Sequence, residues 1–93
     1  MGNYKIIIKE TAVKDFLKHK KSGNKQNLVK ISKIIEELRE HPFTGIGKPE
    51  LLKYDLQGLW SRRINQKDRL IYEVVEDVVT VYIVSAMGHY EDK

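Results

Sequence analysis

Hydrophobic positions along the chain follow three different patterns. The first is a short β-branched run, Tyr4 to Lys9 (YKIIIK), which predicts a buried strand. The second is helical. Ala12, Val13, Phe16 and Leu17 fall on one face, and Lys14, Lys18, Lys20 and Lys21 occupy much of the rest. Thr11 stands where its hydroxyl would cap this helix. Ser22-Gly23-Asn24 breaks it: Gly23 suits a left-handed residue past the helix end, and Asn24 suits the cap of a second helix. That helix runs to about Glu40 with a stripe of Leu28, Ile31, Ile34, Ile35 and Leu38, and Pro42 ends it. The third pattern, after a glycine-containing loop, has a period of two. A short edge strand starts at Pro49 to Leu52, and a turn follows at Asp55 to Gly58. Strands then run over Leu59 to Ile64 and Arg69 to Val75, joined by the hairpin turn Asn65 to Asp68. Glu76-Asp77 turns again, and Val78 to Met87 is the most apolar run, expected to be the central strand covered on both sides.

The order is strand, helix, helix, then a four-strand antiparallel run. Helices and strands in runs, rather than alternating, predict an α+β domain. Neither helix would persist alone in water, so each stripe must pack, and the expected arrangement is a helical hairpin on a sheet.

The 93 residues make a single domain, 1–93. There are no cysteines, which excludes a disulfide framework and a thiolate zinc site and fits a reducing cytoplasm. No apolar run approaches the ~20 residues of a membrane span, and the apolar start is too short for a signal peptide. A soluble cytoplasmic protein without membrane association is expected. The 17 Lys and Arg against 13 Asp and Glu give a formal charge of +4. That balance suits RNA, DNA or an acidic protein partner, and equally a well-solvated lysine-rich surface.

The chemistry-bearing residues gather between His41 and Tyr72, and again at the end of the chain. Gly45 and Gly47 permit positive φ and close backbone approach. Their loop lacks the GxxxxGK[ST] spacing, which argues against nucleotide binding. In LWSRRI, strand alternation puts Trp60, Arg62 and Ile64 on one face and Leu59, Ser61 and Arg63 on the other. Arg63 and Arg69 stand on opposite sides of one hairpin. Either they address the same phosphate, or they pair with Glu50, Asp55, Asp68 or Glu73. Glu50, between Lys48 and Lys53, is either a general base for an RNA 2′-hydroxyl or a surface ion-pair partner. His19 and His41 lie among ordinary polar neighbours and read as solvated. His89 follows the apolar strand and Gly88 and precedes Tyr90, where imidazole can donate a proton and the ring of Tyr90 can stack on a base. This inventory suits phosphodiester transfer within RNA. No metal site or cofactor is suggested, since the histidines are scattered with no HxxxH and no acidic triplet.

The motifs Pro42-Phe43-x-Gly45-x-Gly47-Lys48-Pro49-Glu50-x-Leu52-Lys53, Gly58-x-Trp60-Ser61-Arg62-Arg63-Ile64, Arg69-Leu70-Ile71-Tyr72 and His89-Tyr90 resemble the YoeB/Txe family of toxins, within the RelE-like superfamily of toxin–antitoxin systems. The resemblance covers nearly the whole chain and is densest from Pro42 to Tyr72. It implies a RelE-like microbial-ribonuclease fold of order β-α-α-β-β-β(-β). It also implies an endoribonuclease that cuts mRNA in the ribosomal A site, neutralised by a YefM/Axe-type antitoxin, with a homodimer as a further expectation. By the same resemblance Glu50 is general base, Arg69 stabilises the phosphate, His89 is general acid and Tyr90 positions the substrate. Arg63 is a phosphate contact by the same route, and Lys48 and Lys53 join the RNA-binding set. The chain departs from the family pattern in two places. The stretch from Tyr72 to His89 is about two residues longer, which predicts a longer turn around Glu76 to Val79, and Glu91-Asp92-Lys93 extends past His89-Tyr90. The competing expectations are a ParE-like toxin that binds a topoisomerase and a non-catalytic module that only binds its antitoxin.

Overall fold

Five strands form one mixed sheet with two helices on one of its faces. In this computed structural model, which describes residues 3–53 and 56–88, the elements in order are β1 (Lys5–Ile8), α1 (Glu10–Ser22), α2 (Lys25–Leu38), β2 (Glu50–Leu51), β3 (Trp60–Arg63), β4 (Arg69–Val75) and β5 (Thr80–Ser85). The sheet order is β1-β5-β4-β3-β2. The last four strands pair antiparallel, as the run of period-two segments predicts, and β1 adds to β5 in parallel. The α+β expectation holds.

Ala12 of α1 and Ile31, Ile34 and Leu38 of α2 pack against Leu70 and Tyr72 of β4 and Val81 and Ile83 of β5. Gly23, at φ 78, closes α1 by donating to the Lys20 carbonyl, and the Asn24 side chain caps α2 by accepting from Asn27 N–H.

Four local expectations are corrected. Thr11 does not cap α1. The helix starts a residue before it, with Lys9 at the cap position and the Lys9 carbonyl accepting from Val13. The inward stripe of α1 is Ala12, Asp15 and His19, with Phe16 packed beside them. Val13 and Leu17 are 44% and 51% exposed, because two polar side chains take the buried face to bond backbone beyond β5. Strand β1 is only half-buried, because it occupies a sheet edge. The middle strand is β4, not the Val78–Met87 run. Glu76–Val78 makes a 3-10 turn and Val79 adopts φ 47, so β5 begins only at Thr80.

The loop after α2 is held by Arg62. This side chain is completely buried. Its Nη1 donates to Glu37 Oε1 at 2.8 Å, its Nη2 to the carbonyls of His41 (2.5 Å) and Thr44 (2.7 Å), and its Nε to the Tyr72 hydroxyl at 3.2 Å. Tyr72 in turn donates to the Pro42 carbonyl at 2.7 Å. Burial pushes the Tyr72 phenol above its usual 10.0, and the neighbouring Arg62 offsets part of that rise. Ile46 N–H also donates to Glu37 Oε1, and Phe43 packs on Trp60 with ring centroids 5.1 Å apart. Gly45 sits so close that an added Cβ would lie 2.0 Å from Glu37 Oε1 and 2.8 Å from Arg62 Nη1. The glycine there serves close approach to an ion pair.

Truncating one member of a buried ion pair leaves the other charge without compensation, which costs about 3–5 kcal/mol. The Glu37 side chain left behind is 33% exposed and keeps part of its solvation, so Arg62→Ala should destabilise the domain by about 3 kcal/mol, the lower end of that range. Chemical denaturation should show the loss as a lower midpoint, together with faster amide exchange over residues 41–47.

Candidate functional site

Strand register brings the predicted residues together. Glu50 of β2 pairs with Ser61 of β3, and Arg63 of β3 pairs with Arg69 of β4. Directly opposed residues share a face, and so do residues two apart along a strand. Glu50, Ser61, Arg63 and Arg69 thus lie on one face, opposite the one that carries Trp60, Arg62, Leu70 and Tyr72. From the strand spacing, the Cα of Glu50 lies roughly 8 Å from that of Arg63 and roughly 12 Å from that of Arg69. Long side chains reaching across that interval can bracket one phosphodiester.

The Arg62 loop delivers Glu50 to this face. Arg63 N–H donates to the Gly47 carbonyl at 2.6 Å, so the loop pairs with β3 just before β2 begins. A Cβ on Gly47 would stand 2.9 Å from the Arg63 carbonyl. Lys48 follows with φ 52, and Lys48, Glu50 and Lys53 are all exposed.

Arg63 is exposed and Arg69 half-buried. Neither forms an ion pair with a described carboxylate. The described ion pairs are Arg62–Glu37 and the exposed His41–Glu40 contact. Of the alternatives open for the two arginines, pairing with Glu50, Asp68 or Glu73 is therefore not what the fold does, while Asp55 lies outside the described residues. Arg69 Nη1 donates to the Asn65 carbonyl at 3.3 Å. Like charges directly opposed across two strands repel, and an anion between them would relieve that cost.

His89 and Tyr90 lie outside the described residues. The backbone leading to them is held firmly. Gly88 N–H donates to Asp68 Oδ1 at 2.8 Å, and the Gly88 carbonyl accepts from Arg69 N–H at 2.8 Å. Two residues earlier, Ala86 N–H donates to Asp15 Oδ2 (2.9 Å), and His19 Nε2 donates to the Ala86 carbonyl (2.6 Å). His19 is 1% exposed. The expectation of a solvated His19 is overturned, because its ring serves a backbone carbonyl in the interior. His41 is exposed, as expected.

Asp68 is 2% exposed. Burial alone would raise its carboxyl. The Gly88 N–H and Asn65 hydrogen bonds, with smaller electrostatic help from Lys67, outweigh burial and hold it below the usual 3.8. A depressed value in the folded state contributes stability above the unfolded value, and that contribution is lost as pH falls through the folded one. Asp68, Asp15, His19 and Arg62 are the site-building residues that sequence reasoning missed. Alternation did mark Arg62, which shares its face with Trp60 and Ile64. His19 lies seven positions after Ala12, on the same helical face, which marks His19 as well. Nothing local marks the pairing of Asp68 with Gly88.

Among the described residues no three His, Asp or Glu side chains gather where they could hold a metal ion, and no helix is long and apolar enough to cross a membrane.

The family profile described as "YoeB-like toxin of bacterial type II toxin-antitoxin system" matches residues 8–90. Toxin YoeB of Escherichia coli strain K12 is 40% identical over 86 residues, covering 92% of this chain and 99% of that protein. Among solved structures, the YoeB/ParE toxin from Agrobacterium tumefaciens superposes with a TM-score of 0.82 at 30% identity, over 92% of this chain and 99% of its own. YoeB of Staphylococcus aureus, in its heterotetrameric YoeB–YefM complex, superposes with a TM-score of 0.76 at 35% identity, over 94% of this chain and 98% of its own. The same staphylococcal toxin has been solved as a dimer. With the profile spanning nearly the full length and the fold matched end to end, the chain belongs to the YoeB-like toxins of bacterial type II toxin–antitoxin systems.

Proposed function

We propose that this toxin is a ribosome-dependent endoribonuclease that cleaves mRNA in the ribosomal A site and so stops translation. The observation that carries the reading is the shared sheet face of Glu50, Arg63 and Arg69, beside the backbone that leads to His89. The Glu50 carboxylate removes the proton from a ribose 2′-hydroxyl, and the oxygen attacks the adjacent phosphorus. Arg69 and Arg63 neutralise the charge that builds on the equatorial oxygens. His89 protonates the departing 5′-oxygen, leaving a 2′,3′-cyclic phosphate and a 5′-hydroxyl. Tyr90 stacks on the substrate, and Lys48 and Lys53 bind flanking phosphates. A positioned acid or base contributes about 10²–10⁴-fold each. No metal takes part in this scheme.

The reaction requires the ribosome, so the toxin acts in the cytoplasm. The staphylococcal YoeB–YefM complex supports a YefM/Axe-type antitoxin as inhibitor, and the staphylococcal YoeB dimer supports a homodimer. The alternative is a toxin that acts by protein binding, of the ParE kind or as a non-catalytic module. The opposed arginines, neither of them in an ion pair with a described carboxylate, favour the nuclease.

Two experiments test this. Ribosomes paused on a defined message are given the protein, and the mRNA ends are mapped. New ends at the A-site codon are expected, and their loss with Glu50→Gln identifies the base; intact message with folded protein would turn the reading to protein binding. Arg69→Ala should lower cleavage at least about 10²-fold yet still be captured by antitoxin. Undiminished cleavage by this variant would remove Arg69 from the mechanism.

A further inference from the structure

The segment before His89 is held by a closed circuit of polar groups drawn from α1, α2, the β3–β4 turn and β4. From His19, whose Nε2 binds the Ala86 carbonyl, Nδ1 accepts from Asn27 Nδ2 at 3.4 Å. Asn27 Oδ1 accepts from Asn65 Nδ2 at 3.1 Å, and the same Nδ2 donates to Asp68 Oδ2 at 3.0 Å. Asp68 Oδ1 takes the Gly88 amide, the Gly88 carbonyl takes the Arg69 amide, and Arg69 Nη1 returns to the Asn65 carbonyl.

Donor and acceptor roles are fixed at each contact of this circuit: Asn65 Nδ2 donates to both neighbours, and Asp68 accepts from both of its own. Ionised Asp68 can only accept, so the Asn65 amino group faces it. Asn65 Oδ1 is then free to accept from the amides of Lys67 and Asp68, each at 2.8 Å. Asn27 must offer oxygen to Asn65 and nitrogen to His19. The Ala86 carbonyl can only accept, so His19 carries its proton on Nε2. The tautomer is set from both ends of the chain of contacts.

Packing alone would not need this arrangement. A buried carboxylate costs several kcal/mol unless it is well bonded, and apolar side chains would tie down a terminal segment more cheaply. The carboxylate holds the Asn65 side chain and one backbone amide, that of Gly88, immediately before His89. The same circuit binds both the backbone amide and the guanidinium of Arg69. We propose that Asp68 is a positioning residue for the reaction: through Asn65, Asn27 and His19 it sets residues 86–88 and Arg69 as one unit, so that the phosphate contact and the backbone of residues 86–88 keep a constant separation. This rests on the ribonuclease reading above. Asp68 touches no substrate in this role. Its loss therefore acts on the geometry of the reacting groups, where a displacement near 1 Å costs about 10²-fold, and little on ribosome binding.

The test measures cleavage on paused ribosomes, as kcat and KM, for wild type, Asp68→Ala and Asp68→Asn. Gly88 amide exchange is followed by NMR in the same three proteins. Asp68→Ala should lower kcat about 10–100-fold with KM within about twofold. Asp68→Asn should recover part of the loss, since its Oδ1 can still accept from Gly88 while its amino group faces that of Asn65. Wild-type kcat in folded Asp68→Ala overturns the proposal. Should that variant not fold, Asp68→Asn decides, and wild-type kcat there overturns it equally. Wild type that cuts no message would sink the nuclease reading instead. The circuit is then judged on Gly88: amide exchange at least about tenfold slower in wild type than in the folded variant supports it, and equal exchange overturns it.

Discussion

The guanidinium of Arg62 is the constraint on which the site depends. It lies wholly inside the domain, where an uncompensated charge would be too costly to keep. Glu37 supplies the countercharge, and the carbonyls of His41 and Thr44 and the hydroxyl of Tyr72 take most of the remaining donors. Those partners come from the end of α2, from the loop after it and from the central strand. One side chain therefore ties three elements together. It also dictates the glycines, because only a residue without Cβ fits against the Glu37–Arg62 contact at Gly45. The loop so shaped runs directly into the edge strand that carries Glu50.

Sheet geometry then divides the arginines of β3 between two tasks. Arg62 points to the helices and builds the loop, while Arg63 points the other way and meets Arg69 across the hairpin. A period of two makes this division unavoidable, and a slip of one residue would exchange the roles and bury the wrong arginine. Two adjacent arginines of the same chemical type are thus neither redundant nor interchangeable.

A second polar centre forms where the chain leaves β5. Asp15, His19 and Asp68 supply side-chain partners for the backbone of Ala86 and Gly88, the stretch in which regular pairing has ended. Such groups must find partners or lose the free energy of a hydrogen bond. α1 and the β3–β4 turn supply three of them, and the first residue of β4 supplies the last. The buried face of α1 therefore mixes Ala12 and Phe16 with Asp15 and His19.

Much of this was legible in the residues alone. Helical spacing located both helices, Gly23 and Asn24 marked the break between them, and alternation placed Arg62 and Arg63 on opposite faces. These features are local, since spacing and backbone preference act over a few residues whatever the rest of the chain does. The motifs from Pro42 to Tyr72 carried the family resemblance, and with it the roles expected of Glu50 and Arg69. Other outcomes were decided only when distant segments met. Thr11 lost its capping role because the path out of β1 started the helix early. The most apolar run did not become the middle strand, because β4, β3 and β2 all lie on one side of it and β1 alone on the other. His19 read as solvated and Asp68 as a turn residue or an arginine's partner, because their actual partners, Ala86 and Gly88, lie 67 and 20 positions away. Local pattern says which face a side chain takes. Whether a polar side chain on that face is solvated or bonded in the interior depends on which backbone groups arrive unpaired beside it, and tertiary structure alone determines that.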